Sequence, residues 1–105
     1  MAALLLGTAA PALAIPSDED MLHAYVRARA ADVAGAEVEA SHGYAAALAL
    51  APGNDVLAAR ALSEGLSAGD ESLALAAART LDTSGKLPPE GRILLAGEAL
   101  KAGRW

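Results

Sequence analysis

Cysteine and phenylalanine are both absent from this chain of 105 residues, and its aromatic side chains are Tyr25, Tyr44 and Trp105. Without cysteine there is no disulfide, no thiol chemistry and no diacylglyceryl-cysteine anchor. Without Phe, and with few β-branched residues, the chain lacks the side chains that fill a pleated surface, so a sheet protein is not expected. Positive charge is scarce as well: 8 Lys and Arg stand against 13 Asp and Glu, for a net charge of −5. Nucleic-acid binding needs a basic footprint, and Arg27 with Arg29 is the nearest approach to one. No nucleic-acid partner is expected. The two histidines, His23 and His42, lie far apart without metal-ligand spacing, so no metal is expected. No phosphate loop, GxGxxG or GxSxG occurs, and no cofactor is expected.

Alanine, by contrast, fills over a quarter of the chain. It favours helix and lets backbones approach closely, while burying little area per residue. A chain of this length is one domain at most, with a modest core. The expected fold class is all-α.

Residues 1–16 carry no charged side chain. Leu4, Leu5 and Leu6 centre a short apolar run from Ala2 to Ala10, Pro11 ends it, and Ala12-Leu13-Ala14 supplies the small-x-small pattern of signal peptidase sites. The reading is a signal peptide over 1–14, a short leader over 15–20 and a helical domain over 21–105. The run is far too short to cross a bilayer, so no stable membrane span is expected. No Lys or Arg precedes it. Export implies the periplasm or surface of a bacterium; a leader that is not a signal implies the cytoplasm.

Beyond the leader, capping residues and apolar spacing predict five helices. Ser17 with Asp20 starts the first, which Gly35 ends; Leu22, Tyr25, Val26, Arg29 and Val33 form its stripe. The second runs from Glu37 to Leu50 with Ala40, Tyr44, Ala47 and Leu48 on one face, before the turn Pro52-Gly53-Asn54. Asn54 caps the third, marked by Leu57, Ala61, Leu62 and Leu66 and stopped by Gly69. Asp70 caps the fourth, with Leu73, Ala76, Ala77, Thr80 and Leu81. Pro89 suits the first turn of the fifth, which carries Ile93, Leu94, Ala96, Gly97 and Leu100 up to Gly103. Short loops make sequential helices antiparallel neighbours.

Ala34-Gly35, Ala68-Gly69 and Ala102-Gly103 recur at one phase of a 34-residue period. That period is the mark of stacked helix pairs. The first pair adds Ala40, Tyr44, Ala47 and Pro52 after Gly35, a small residue, an aromatic four later, a small residue and a closing proline. In these residues the chain resembles the tetratricopeptide repeat family. The second unit keeps Gly69 and Ala74 but has Ala78 for the aromatic, Lys86 for the proline and Gly65 where an aromatic is the rule. The first half of the motif is weaker, with Ala24, Arg27, Ala28 and Ala31 at its positions.

The resemblance implies antiparallel helix pairs stacked as a short right-handed superhelix, about two and a half repeats over residues 21–105. It also implies a non-catalytic scaffold that grips a protein or peptide partner along the first helix of each pair. Groove residues carried over are Leu22, Tyr25, Arg29 and Asp32 from the first repeat, and Val56, Ala59, Ser63 and Leu66 from the second. Tyr25 and Arg29 are the expected anchors. Only Arg29 and Arg60 stand along this groove as cations, so a carboxylate clamp is not expected. Glu64 and Glu98, one per repeat, are read as a solvated or lateral face. The alternatives are an unrelated alanine-rich five-helix bundle in envelope assembly, and a helical carbohydrate-active domain, which requires a buried catalytic Glu in a pocket.

A repeat array needs a polar capping helix, and this chain ends just after Gly103, where a sixth helix is due. Ile93, Leu94, Gly97 and Leu100 are then left uncovered. The preferred expectation is that the chain is part of a longer repeat protein. The other is self-association through the last helix.

Overall fold

The computed structural model describes residues 18–104. The segment read as a signal peptide, the Ser17 cap and Trp105 lie outside the described residues. Five α-helices follow one another: α1 Asp18–Val33, α2 Glu37–Leu50, α3 Asp55–Ala68, α4 Glu71–Thr83 and α5 Pro89–Lys101. The fold is all-α, with sequential helices packed as antiparallel neighbours. Helix α1 begins at Asp18, inside the stretch read as leader, and its first turn holds Asp18, Glu19 and Asp20 against the positive end of the helix dipole.

The caps follow the sequence closely. Asn54 Oδ1 accepts from the Leu57 N–H at 3.0 Å, and Asp70 Oδ1 accepts from the Leu73 N–H at 3.1 Å. Each satisfies one of the orphan donors of a helix start. Four helix ends share one motif, in which the N–H just after a glycine reaches back five residues to a carbonyl in the last turn. Ala36 bonds Ala31 at 2.9 Å, Asp70 bonds Gly65 at 2.8 Å, Lys86 bonds Leu81 at 2.8 Å and Arg104 bonds Ala99 at 2.7 Å. Gly35 and Gly69 have φ of +78° and +71°, left-handed values that a side chain resists.

Small residues set the distance between helices. A Cβ placed on Gly43 of α2 would fall 2.7 Å from the Ala28 Cβ of α1, and one on Gly65 of α3 would fall 2.7 Å from the Ala74 nitrogen of α4. The backbones of each pair therefore meet through glycine and alanine, where dispersion contacts are dense despite the small side chains. Among the described residues, Tyr44 is the one large side chain fully enclosed in the core. Burying such a ring contributes on the order of 2 kcal/mol. Leu48, Leu57, Leu62, Leu73 and Leu81 complete the large members of the core.

Helix α1 is turned differently from its expected stripe. Leu22 is 52% and Val33 79% exposed, and Val26 also faces out. The buried side is Ala28, with Met21, Ala24, Tyr25 and Ala31 partly covered. Close approach of Ala28 to Gly43 goes with this orientation, since a Cβ on Gly43 would already collide with Ala28. On α4, Ala76 is likewise exposed rather than inward.

Helix α2 packs against both α1 and α3, and α4 against both α3 and α5; of the alternate helices, α2 and α4 are in contact. The resemblance implies first helices drawn together on a concave side. Here the second helices, α2 and α4, are in contact. The outer face of α5 is open: Ile93 is 74% exposed, Leu100 is exposed, and no atom lies within 4 Å of a Cβ built on Gly97. Leu94 and Leu95 are partly buried against the core.

Candidate functional site

The eight residues placed in a groove by the resemblance fall into two groups. Leu22, Val56, Ala59, Ser63 and Leu66 are exposed on α1 and α3. Tyr25, Arg29 and Asp32 are half-buried and already engaged with one another and with α2. Arg29 Nη1 lies 3.1 Å from Asp32 Oδ2, and the Tyr44 hydroxyl donates to the same oxygen at 3.2 Å. The Tyr25 and Tyr44 rings meet with centroids 6.1 Å apart and planes tilted by 59°, a favourable aromatic geometry. The two expected anchors are thus tied into an internal network. Burial pushes the Tyr44 hydroxyl above its usual value, against the neighbouring Arg29, which lowers it.

One acidic residue departs from the sequence reading. Glu64 is 7% exposed rather than solvated. It has no hydrogen bond and no ion pair among the described residues. Burial pushes its carboxyl up from the ordinary glutamate range, and the carboxylates of Asp32 on α1 and Glu37 on α2 push it further. Glu98, at the same phase of the 34-residue period, has the opposite surroundings: Arg79 at 3.3 Å and Arg104 at 2.8 Å. The signal for Glu64 was present in the spacing. It lies seven residues after Leu57 and three after Ala61, on the stripe that faces the core.

Asp32 lies in the last turn of α1, and neither α1 nor α3 has a basic residue in its last turn. Alternating helix directions set these two C-terminal ends beside the N-terminal ends of α2 and α4, so dipole ends of both signs meet there. Lys101 pairs with Glu71 at the start of α4 at 3.1 Å, and Lys86 with Asp55 at 3.2 Å.

Ala59, Ser63 and Leu66 line a hollow of about 450 Å³ that α3 shares with Leu81, Lys86, Pro88 and Glu90. Two further hollows lie elsewhere on the surface. One of about 350 Å³ sits between α2 and α4, with Leu48 and Leu73 on its floor and Ala45, Ala76 and Thr80 at its rim. The other, about 230 Å³, is lined by Glu37, Ser41, His42 and Asp70. The Ser41 hydroxyl is sealed from solvent without a partner. The α2–α4 hollow was not legible from the sequence, because Ala45 and Ala76 carry no periodic apolar signal distinct from the other alanines. Among the described residues no three His, Cys, Asp or Glu side chains converge as metal ligands, and no helix is long and apolar enough to cross a membrane. No protein-family model, curated protein or solved structure matches the chain.

Proposed function

We propose that this protein is a small helical scaffold of tetratricopeptide type, without catalysis, that binds an extended peptide along the exposed face of its first helices, α1 and α3, where Ala59, Ser63 and Leu66 open onto a hollow of about 450 Å³. The observation that carries the reading is the recurrence of structural roles at 34 residues. Ala28 and Leu62, Ala40 and Ala74, Tyr44 and Ala78, and Ala47 and Leu81 are four pairs in which both members are buried. Gly35, Gly69 and Gly103 share left-handed backbone values of +78°, +71° and +76°. Such recurrence is what a one-dimensional stack of like units requires, and a right-handed superhelix of about two and a half repeats is its natural extension. The pairing of α2 with α4 sets a local curvature of its own, so the ligand is assigned to the exposed face of α1 and α3 rather than to a deep concave face. The leader keeps its reading as an export signal, which makes the partner a protein of the cell envelope.

Peptide display against the full chain, followed by mapping of the selected peptides, tests this. Leu22→Asp with Leu66→Asp, both at exposed positions, is expected to abolish binding while leaving the helical signal intact. Ala76→Arg, in the hollow between α2 and α4, is expected to leave binding unchanged. The reverse pattern would move the ligand to the α2–α4 face and overturn the assignment.

A further inference from the structure

We infer that the outer face of α5 docks on the same face of a second copy of this chain, antiparallel, as a twofold dimer; this goes beyond the peptide-binding reading and does not rest on it. Pro89, Ile93, Ala96, Gly97 and Leu100 recur at spacings of three and four, and all five are exposed. They form an uncharged stripe along α5. The opposite side of the helix is the one turned inward, with Gly91 buried and Leu94 and Leu95 partly buried against the core.

Gly97 stands at the centre of the stripe and differs from the other glycines inside helices. A Cβ on Gly43 would strike Ala28, one on Gly65 would strike Ala74, and one on Gly91 would crowd Leu87 and Leu62; on Gly97 it meets nothing within 4 Å. Glycine inside a helix is unfavourable beside alanine, and at the other three positions a close neighbour accounts for it. Gly97 has no such neighbour within the chain. A second α5 laid across it supplies one.

Charge selects the occupant and its direction. Glu90 and Lys101 lie along one edge of the stripe, at its two ends. A half-turn about an axis between Ala96 and Gly97 sets Ile93 of one copy against Leu100 of the other, twice. In that register Glu90 of one copy and Lys101 of the other are offset by about 3 Å of helix rise, within reach of two long side chains. Glu90 has no ion pair among the described residues. Lys101 holds Glu71, but both are exposed and such a pair is weak; an ammonium has three donors and can serve two carboxylates. On the other edge Arg92 meets Ala99, so like charges are kept apart. A parallel pairing would instead oppose Glu90 to Glu90 and Lys101 to Lys101. One helix face per copy is smaller than the standard interface of about 1,600 Å², so the chain is a monomer when dilute and dimerises when concentrated.

Sedimentation equilibrium of the full chain, in a series reaching about 1 mM, reads this directly. The native chain is expected to pass from monomer to dimer across the series. Ile93→Glu and Leu100→Glu, both at exposed positions, should each abolish the dimer with the helical signal unchanged. Glu90→Lys and Lys101→Glu should each weaken it by about tenfold, since two symmetric pairs turn repulsive. The double variant should recover native affinity, and so should an equimolar mixture of the two single variants.

A chain that remains a monomer at about 1 mM overturns the inference and leaves α5 to a helix of some other protein. A dimer that survives both Ile93→Glu and Leu100→Glu overturns it too, and moves the contact to another face such as the hollow between α2 and α4. Single charge variants that dimerise as tightly as the native chain remove the antiparallel register, and the twofold dimer with it.

Discussion

Gly65 and Ala74 meet so closely that a Cβ added to Gly65 would stand 2.7 Å from the Ala74 nitrogen. The obstacle is backbone, which cannot swing aside as a flexible side chain can. Gly65→Ala is therefore expected to destabilise by about 1–3 kcal/mol, the usual scale of core overpacking. Gly97→Ala, where a Cβ meets nothing within 4 Å, should instead stabilise by about 1 kcal/mol through helix propensity. Urea denaturation of the two variants checks both signs at once, and a stabilising Gly65→Ala would show that α3 and α4 pack less closely than described.

The Tyr44 side chain does two separable jobs, filling the core and donating to Asp32. Tyr44→Phe keeps the first and loses the second, so it should cost about 1 kcal/mol. Tyr44→Ala also opens a cavity between α1 and α2, with an expected cost of about 3–5 kcal/mol. Equilibrium unfolding read by circular dichroism separates the two. Equal losses in both variants would mean that the hydroxyl, not the ring, dominates.

How much of this was readable beforehand differs by helix. The face of α2 was legible because Tyr44 stands among small residues at helical spacing, and Asn54 and Asp70 announced their caps. The orientation of α1 was not. Periodicity weights large apolar residues, and there Leu22, Val26 and Val33 outvoted Ala28, although it is Ala28 that packs closely on Gly43. Gly65 looked like a lost aromatic and is instead the point of contact with Ala74. Glu64 escaped because a charged residue in an acidic chain is ordinarily solvated. Its position relative to Leu57 and Ala61 outweighs that prior once the helices are packed.

Two carboxylates bend the pH dependence of stability in opposite senses. Glu64 has its pKa raised on folding, by burial first and then by Asp32 and Glu37. The folded chain therefore holds that proton more tightly than the unfolded one. The stabilisation is present in full below the ordinary glutamate pKa of 4.5 and is lost as pH rises through the elevated native value. Asp55 has its pKa lowered, chiefly by the Ser84 side chain and then by Lys86. Its contribution is present above the ordinary 3.8 and is lost as pH falls through the lower native value. Thermal melts of the native chain and Glu64→Gln, run from about pH 3 to about pH 8, should diverge upward, with the variant more stable at neutral pH. Parallel curves would mean that Glu64 is not buried as an acid in the folded protein.

The order in which the helices lean on one another also governs how the chain comes apart. Helix α5 rests mainly on α4, with Gly91 beside Leu62 of α3, while α2 is held by α1, α3 and α4. Opening can therefore begin at the last helix without disturbing the Tyr44 core. Amide exchange would then be graded along the sequence, fast in α5 and slowest in α2 and α3, so that the molecule unzips from one end like a row of leaves rather than melting as a single drop.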